Sequence, residues 1–157
     1  MHKNINEEEL RRFLVDAKKS TYAAGDNAAK VKNDDKSTTI VFEQGDWKYH
    51  DNYFGGEPYG GREVVFYKGQ PVYFMAYYGR VHGSAVDVKE IYAFLMAALR
   101  KIPLDAPYRG PKFFTDGQLT YSNTYSGTLD DFAGEEQITK DGVLLFSTKY
   151  AGGSVDE

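Results

Sequence analysis

The sequence predicts an α+β fold in which two helices cover an antiparallel sheet and a helix-plus-three-strand unit occurs twice. Three observations point there. Two segments carry apolar residues at helical spacing. Stretches that alternate apolar and polar residues follow each of them, separated by Gly-containing turns. The two halves also align with one another.

The helices are expected over 6–19, NEEELRRFLVDAKK, and 87–100, DVKEIYAFLMAALR. Each has apolar side chains at i, i+3, i+4 and i+7, a stripe that lets a helix bury one face. Asn6 with Glu9, and Asp87 with Glu90, have the spacing of a capping box, which satisfies amides left free in a first turn. Pro103 cannot continue the second helix. The insertion GDNAAKVKNDDKSTTIVF separates the first helix from its strands. Its polar part is expected to be a mobile loop and STTIVFEQ an added strand. Strands are expected over 46–54, 62–68 and 71–79, then 118–126, 134–140 and 143–151, with YKGQP and TKDGV as hairpin turns.

A shift of 72 places Phe42, Gly45, Tyr49, Tyr53 and Gly55 on Phe114, Gly117, Tyr121, Tyr125 and Gly127. After one inserted residue, Gly61, Glu63, Gly69, Tyr77 and Gly79 fall on Gly134, Glu136, Gly142, Tyr150 and Gly152. The helices align at a shift of 81, matching Glu9, Phe13, Leu14 and Ala17 to Glu90, Phe94, Leu95 and Ala98. The expectation is one domain over 1–157, with repeat units at 6–79 and 87–152. Its 157 residues suffice to bury a single core.

Alternation assigns the faces. Trp47, Tyr49, Asp51 and Tyr53 share one side of their strand, while Lys48, His50 and Asn52 take the other. Leu119, Tyr121, Asn123 and Tyr125 repeat the pattern against Thr120, Ser122 and Thr124. The aromatic set faces the helices and carries Asp51 and Asn123 with it. By the same logic Glu63 points inward with Val65 and Tyr67, and Glu136 with Ile138. An inward carboxylate is costly unless it is paired. Three readings stand: Glu63 and Glu136 accept hydrogen bonds from Tyr hydroxyls, loop amides or an arginine such as Arg62 or Arg109; they line a pocket for a cationic or hydrogen-bonding ligand; or one is a catalytic acid or base. The candidate ligand cleft comprises Tyr49, Asp51, Tyr53, Glu57, Tyr59 and Glu63, with the mirrored set Tyr121, Asn123, Tyr125 and Glu136. On the outward side of the first copy Val64, Phe66, Val72 and Phe74 form an apolar patch. Cover by STTIVFEQ or by a second subunit, as in a homodimer, is expected, because a bare patch invites association.

Composition narrows the function classes. A net charge of −4 argues against direct nucleic-acid binding. No apolar run reaches membrane-spanning length, and the opening MHKNINEEEL lacks the apolar core of a signal peptide. With no Cys there is no disulfide framework and no thiolate chemistry. Cytoplasmic is the expected location. His2, His50 and His82 form no paired ligand pattern, NDD at 33–35 lacks calcium-loop spacing, and YFGGEPYGGRE lacks a phosphate loop's ending. No metal, cofactor or catalytic residue is expected.

FLVDAKKSTYA, GDWKYHDNYFGGEPYGGREVVFYKGQPVYFMAYYG and APYRGPKFF, with YAGG near the end, resemble a bacterial domain family of unknown function over residues 8–155. YFGGEPYGG is the most specific block. The resemblance implies a domain that stands alone in some proteins and follows a helix-turn-helix domain in others. No such domain is expected ahead of the matched region here, so DNA binding is not carried over, nor is any catalytic residue. The functional expectation is a non-enzymatic small-ligand-binding or sensing domain. The alternative is a protein-interaction or dimerisation module associated with transcription regulation.

Overall fold

The computed structural model describes residues 5–156; His2 lies outside them. Helix α1 spans Glu7–Ser20 and helix α2 spans Val88–Leu99. Both caps act as their residue types require. Asn6 accepts from the Glu8 and Glu9 amides, and Asp87 from those of Lys89 and Glu90. A 3-10 segment, Tyr22–Asn27, follows α1.

Nine strands make one antiparallel sheet: β1 Val31–Lys32, β2 Thr38–Gln44, β3 Trp47–Gly55, β4 Tyr59–Tyr67, β5 Gln70–Val81, β6 Phe113–Asp116, β7 Leu119–Thr128, β8 Asp131–Lys140 and β9 Val143–Ser154. Their order is β1-β2-β3-β4-β5-β9-β8-β7-β6. Strands β2–β5 form one meander and β6–β9 a second, joined where β5 pairs with β9 and Tyr77 lies opposite Tyr150. Each meander has a strand beyond the three expected, and STTIVFEQ is the first meander's. The second meander's, β6, is only four residues long and has no alternating run of its own to announce it.

The polar insertion has more structure than a mobile loop. Val31 and Lys32 pair with Thr39 and Thr38, and Asp35 closes the turn by accepting from both the amide and the hydroxyl of Ser37.

The inner face follows the alternation. Tyr49, Tyr121, Glu136, Ile138 and Phe146 are fully buried, and Asp51, Glu63 and Asn123 are nearly so. Apolar residues of both helices join them in one cluster, including Leu10, Phe13, Leu14 and Ala17 from α1 and Ile91, Phe94, Leu95 and Ala98 from α2. Alternation fails at two bulges, one between Val65 and Phe66 and the other between Ile138 and Thr139. An unpaired extra residue shifts the pleat there. Val72, expected on the outward face, therefore belongs to the inner cluster, and Leu145 packs against it. Val64 is buried among its outer-face neighbours, whereas Phe66 and Phe74 are half-buried.

Candidate functional site

Two carboxylates, one per meander, anchor the buried polar groups on the inner face. Glu136 is on β8 directly opposite Asn123 of β7. Arg109, from the segment between α2 and β6, donates to Glu136 Oε1 from Nε at 2.8 Å and approaches it with Nη2 at 2.5 Å. The Tyr121 hydroxyl donates to Glu136 Oε2 at 2.6 Å and accepts from the Gly110 amide. The Asn123 side chain donates to the Gly110 carbonyl and accepts from the Tyr150 hydroxyl at 2.7 Å. Gly110 is tightly held, since a Cβ there would lie 2.6 Å from the Tyr121 hydroxyl oxygen. The Arg109 guanidinium is also over the rings of Tyr22 and Tyr77, at 5.2 and 5.7 Å. Burial opposes its charged form, but Glu136 and the hydrogen bond outweigh burial and raise its pKa.

Glu63 is on β4 directly opposite Asp51 of β3. Its cation is Lys18 of α1, whose Nζ is 3.0 Å from Glu63 Oε2 and donates to the Tyr108 carbonyl at 2.5 Å. The Tyr49 hydroxyl is buried and faces the same carboxylate, and neither it nor Lys18 meets Glu63 with good hydrogen-bond alignment. Burial lowers the Lys18 pKa, against the pull of Glu63. The Tyr77 hydroxyl donates to Asp51 Oδ1 at 2.5 Å. Burial, then the charge of Glu63, pushes the Asp51 carboxyl up to about 7.

Tyr59 of β4 reaches across the sheet junction. Its hydroxyl is 3.0 Å from Thr148 Oγ1 of β9 and receives a long contact from Arg109 at 3.4 Å. Gly79 makes room for the ring, because a Cβ there would come within 2.7 Å of it. Between the two carboxylate systems is a cavity of about 10 Å³ lined by Lys18, Tyr22, Glu63, Tyr108 and Arg109, together with apolar neighbours. That is room for about one water molecule.

Of the residues expected in the cleft, Tyr49, Asp51 and Glu63 come together on one meander, while Tyr59, Tyr121, Asn123 and Glu136 gather around Arg109 and the junction. Three stand apart. Glu57 is exposed and accepts from the Val81 amide at 2.7 Å and the Tyr92 hydroxyl at 2.5 Å, tying the β3–β4 loop to the end of β5 and to α2. Tyr53 and Tyr125 are half-buried, Tyr125 edge-on to Tyr108 at 5.4 Å. Arg62, named beside Arg109 as an internal partner, is exposed, and the internal arginine is Arg109. Lys18 went unnamed although its position was readable: it occupies the α1 stripe after Leu10, Phe13, Leu14 and Ala17. Among the described residues no group of three or more His, Cys, Asp and Glu is placed to hold a metal ion.

The comparison with protein families finds DUF5680, a domain of unknown function, over residues 51–155. This chain belongs to that family. The matched region begins within β3, later than the resemblance at residue 8, so α1 and Lys18 precede it while Asp51, Glu63, Arg109 and Glu136 all fall inside. Comparison with curated proteins finds no match, and comparison with solved structures finds none. Among the described residues no helix is long and apolar enough to cross a membrane.

Proposed function

We propose that this domain is a non-enzymatic module for binding or sensing a small ligand, with the buried carboxylate systems of Glu63 and Glu136 as its responsive centre. Support comes from what surrounds them. A cation from a segment outside the sheet faces each carboxylate, with tyrosines packed around both and a small cavity between. Buried ion pairs contribute little net stability compared with apolar packing, so a fold that retains two of them has a use for the charges. A ligand that enters by displacing the Tyr22–Asn27 segment would meet Glu63 with its partner Lys18, the Arg109 guanidinium, and Tyr22 and Tyr108. Such a lining suits a ligand that donates hydrogen bonds to the carboxylate or takes the place of its cation. We further propose that the two meanders, each with its helix, are copies of one unit and that the centre is their junction. The Tyr77–Asp51 bond and its counterpart Tyr150–Asn123 support this, as do bulges at matching positions.

A thermal-shift screen against metabolites and organic cations tests the reading. A ligand at a hundred times its dissociation constant adds about 2.7 kcal/mol. A hit should lose its effect in Glu63→Gln or Glu136→Gln. Hits that stabilise both variants as well as the native protein would remove the carboxylates from the site.

A second reading, an interaction or dimerisation module, rests on the outer face. Phe54 and Tyr78 are 50% and 52% exposed there, in register with Gly60 between them, and Phe74 and Phe66 lie farther along the same face. A native mass of one chain by light scattering, unchanged in a folded Phe54→Lys, Tyr78→Lys variant, would argue against self-association through this face.

A further inference from the structure

We infer that the groove between α2 and the β6–β7 turn is a binding site for a small, neutral, planar aromatic molecule the size of indole. The first half of the molecule shows what such a groove holds when it is filled. There α1 places Phe13 against Phe42 of β2, with ring centroids 5.8 Å apart. Trp47, at the start of β3, stacks on Phe13 at 5.5 Å and 23°, and Tyr67, opposite it on β4, packs on the indole at 4.5 Å. Four rings close the space between helix and sheet edge.

The second half repeats the frame without its filling. Phe94 of α2 stacks on Phe114 of β6 at 5.4 Å and 21°. The residue that starts β7 is Leu119, and opposite it on β8 is Lys140, so neither the indole nor the phenol has a counterpart. An open groove of about 440 Å³ results. Its floor is Phe94 and Leu119, and its helix wall is Ala93 and Ala97. Glu90, Asp116 and Lys140 stand on the rim. The volume falls in the range of small-molecule sites. Aromatic faces pack best against rings in offset or tilted stacks, and Phe94, which lines the groove with its back on Phe114, stands on its helix as Phe13 does where that ring receives Trp47. The rim mixes both signs of charge and so selects no strong ionic partner, which leaves shape and stacking to choose a neutral ring.

The experiment is amide NMR on the full chain titrated with indole. We expect saturable shifts confined to Ala93, Ala97, Gly117 and their neighbours. Leu119→Trp supplies the missing ring from within and should weaken binding about tenfold or more. If that variant does not fold, Ala97→Leu narrows the groove from the helix side and should give the same loss. N-acetyltryptophanamide should bind no more tightly than indole. The inference is overturned if indole gives no saturable shifts at these positions, or if the folded filling variant binds it as well as the native chain. Tighter binding of N-acetyltryptophanamide than of indole would overturn it in favour of a tryptophan side chain from another protein.

Discussion

Each meander buries a glutamate, and the two are satisfied to different degrees. Around Glu136 the accounts close: Arg109 takes one oxygen, Tyr121 the other, and the neighbouring side chain is the neutral Asn123, itself bonded at both ends. Around Glu63 they do not. Lys18 and the Tyr49 hydroxyl face the carboxylate without good hydrogen-bond alignment, and the neighbour is a second acid, Asp51. A buried polar network that is fully satisfied rigidifies a core, and buried polar groups left without partners are costly. The second half is therefore held more firmly than the first.

The largest expected effect tests the anchor. Arg109→Met leaves Glu136 buried without its cation and should cost about 3–5 kcal/mol in urea unfolding. Lys18→Met should cost less, about 1–2 kcal/mol at pH 6, because burial already opposes the charged form of Lys18 and lowers its pKa, whereas that of Arg109 is raised. Equal costs would erase the distinction between the halves.

Next comes pH. The Asp51 carboxyl titrates at 3.8 when unperturbed and at about 7 in the fold. Its folded value is raised, so its contribution to stability is fully present below about pH 3.8 and is lost as pH rises to 7. Between those limits the native state holds a proton that the unfolded chain has released. Asp51→Asn, which copies Asn123, should flatten that slope and stabilise the protein at pH 8 by an amount on the order of 2 kcal/mol. Unfolding free energies measured from pH 4 to pH 8 check this, and an unchanged slope would assign the titration to another group.

The smallest effects sharpen the contrast at single hydroxyls. Tyr121→Phe removes a bond to a carboxylate and should cost about 1.5 kcal/mol or more. Tyr49→Phe removes a hydroxyl that faces Glu63 with poor alignment and should cost less, staying within about 0.5 kcal/mol of the native protein. Chemical denaturation of the two variants side by side decides it.

Much of the fold was legible because its signals are local. Helical spacing located α1 and α2 within a residue or two, and the caps Asn6 and Asp87 were readable because a short polar side chain before an amphipathic run has one main use. Period-two alternation placed Tyr49, Asp51, Glu63, Tyr121, Asn123 and Glu136 on the inner face. It misplaced Val72, since a bulge is a property of two paired strands and leaves little trace in either alone. The candidate site was legible in its strand-borne members and not in its cations. Lys18 and Arg109 come from segments whose approach to the sheet depends on packing, and Glu57 was drawn away by partners on β5 and α2.

The sequence by itself determined which side chains share a face and that carboxylates and phenols would be buried together. Those are consequences of chain geometry, because residues two apart on a strand, or three and four apart on a helix, lie on one side whatever the fold. Only the tertiary structure decided that β5 and β9 would join the meanders, that Lys18 and Arg109 would face different carboxylates, and that Trp47 would fill one groove while Leu119 left its counterpart open. These are contacts between distant segments, fixed by which surfaces bury one another best, and one chain's order of residues does not carry that information locally.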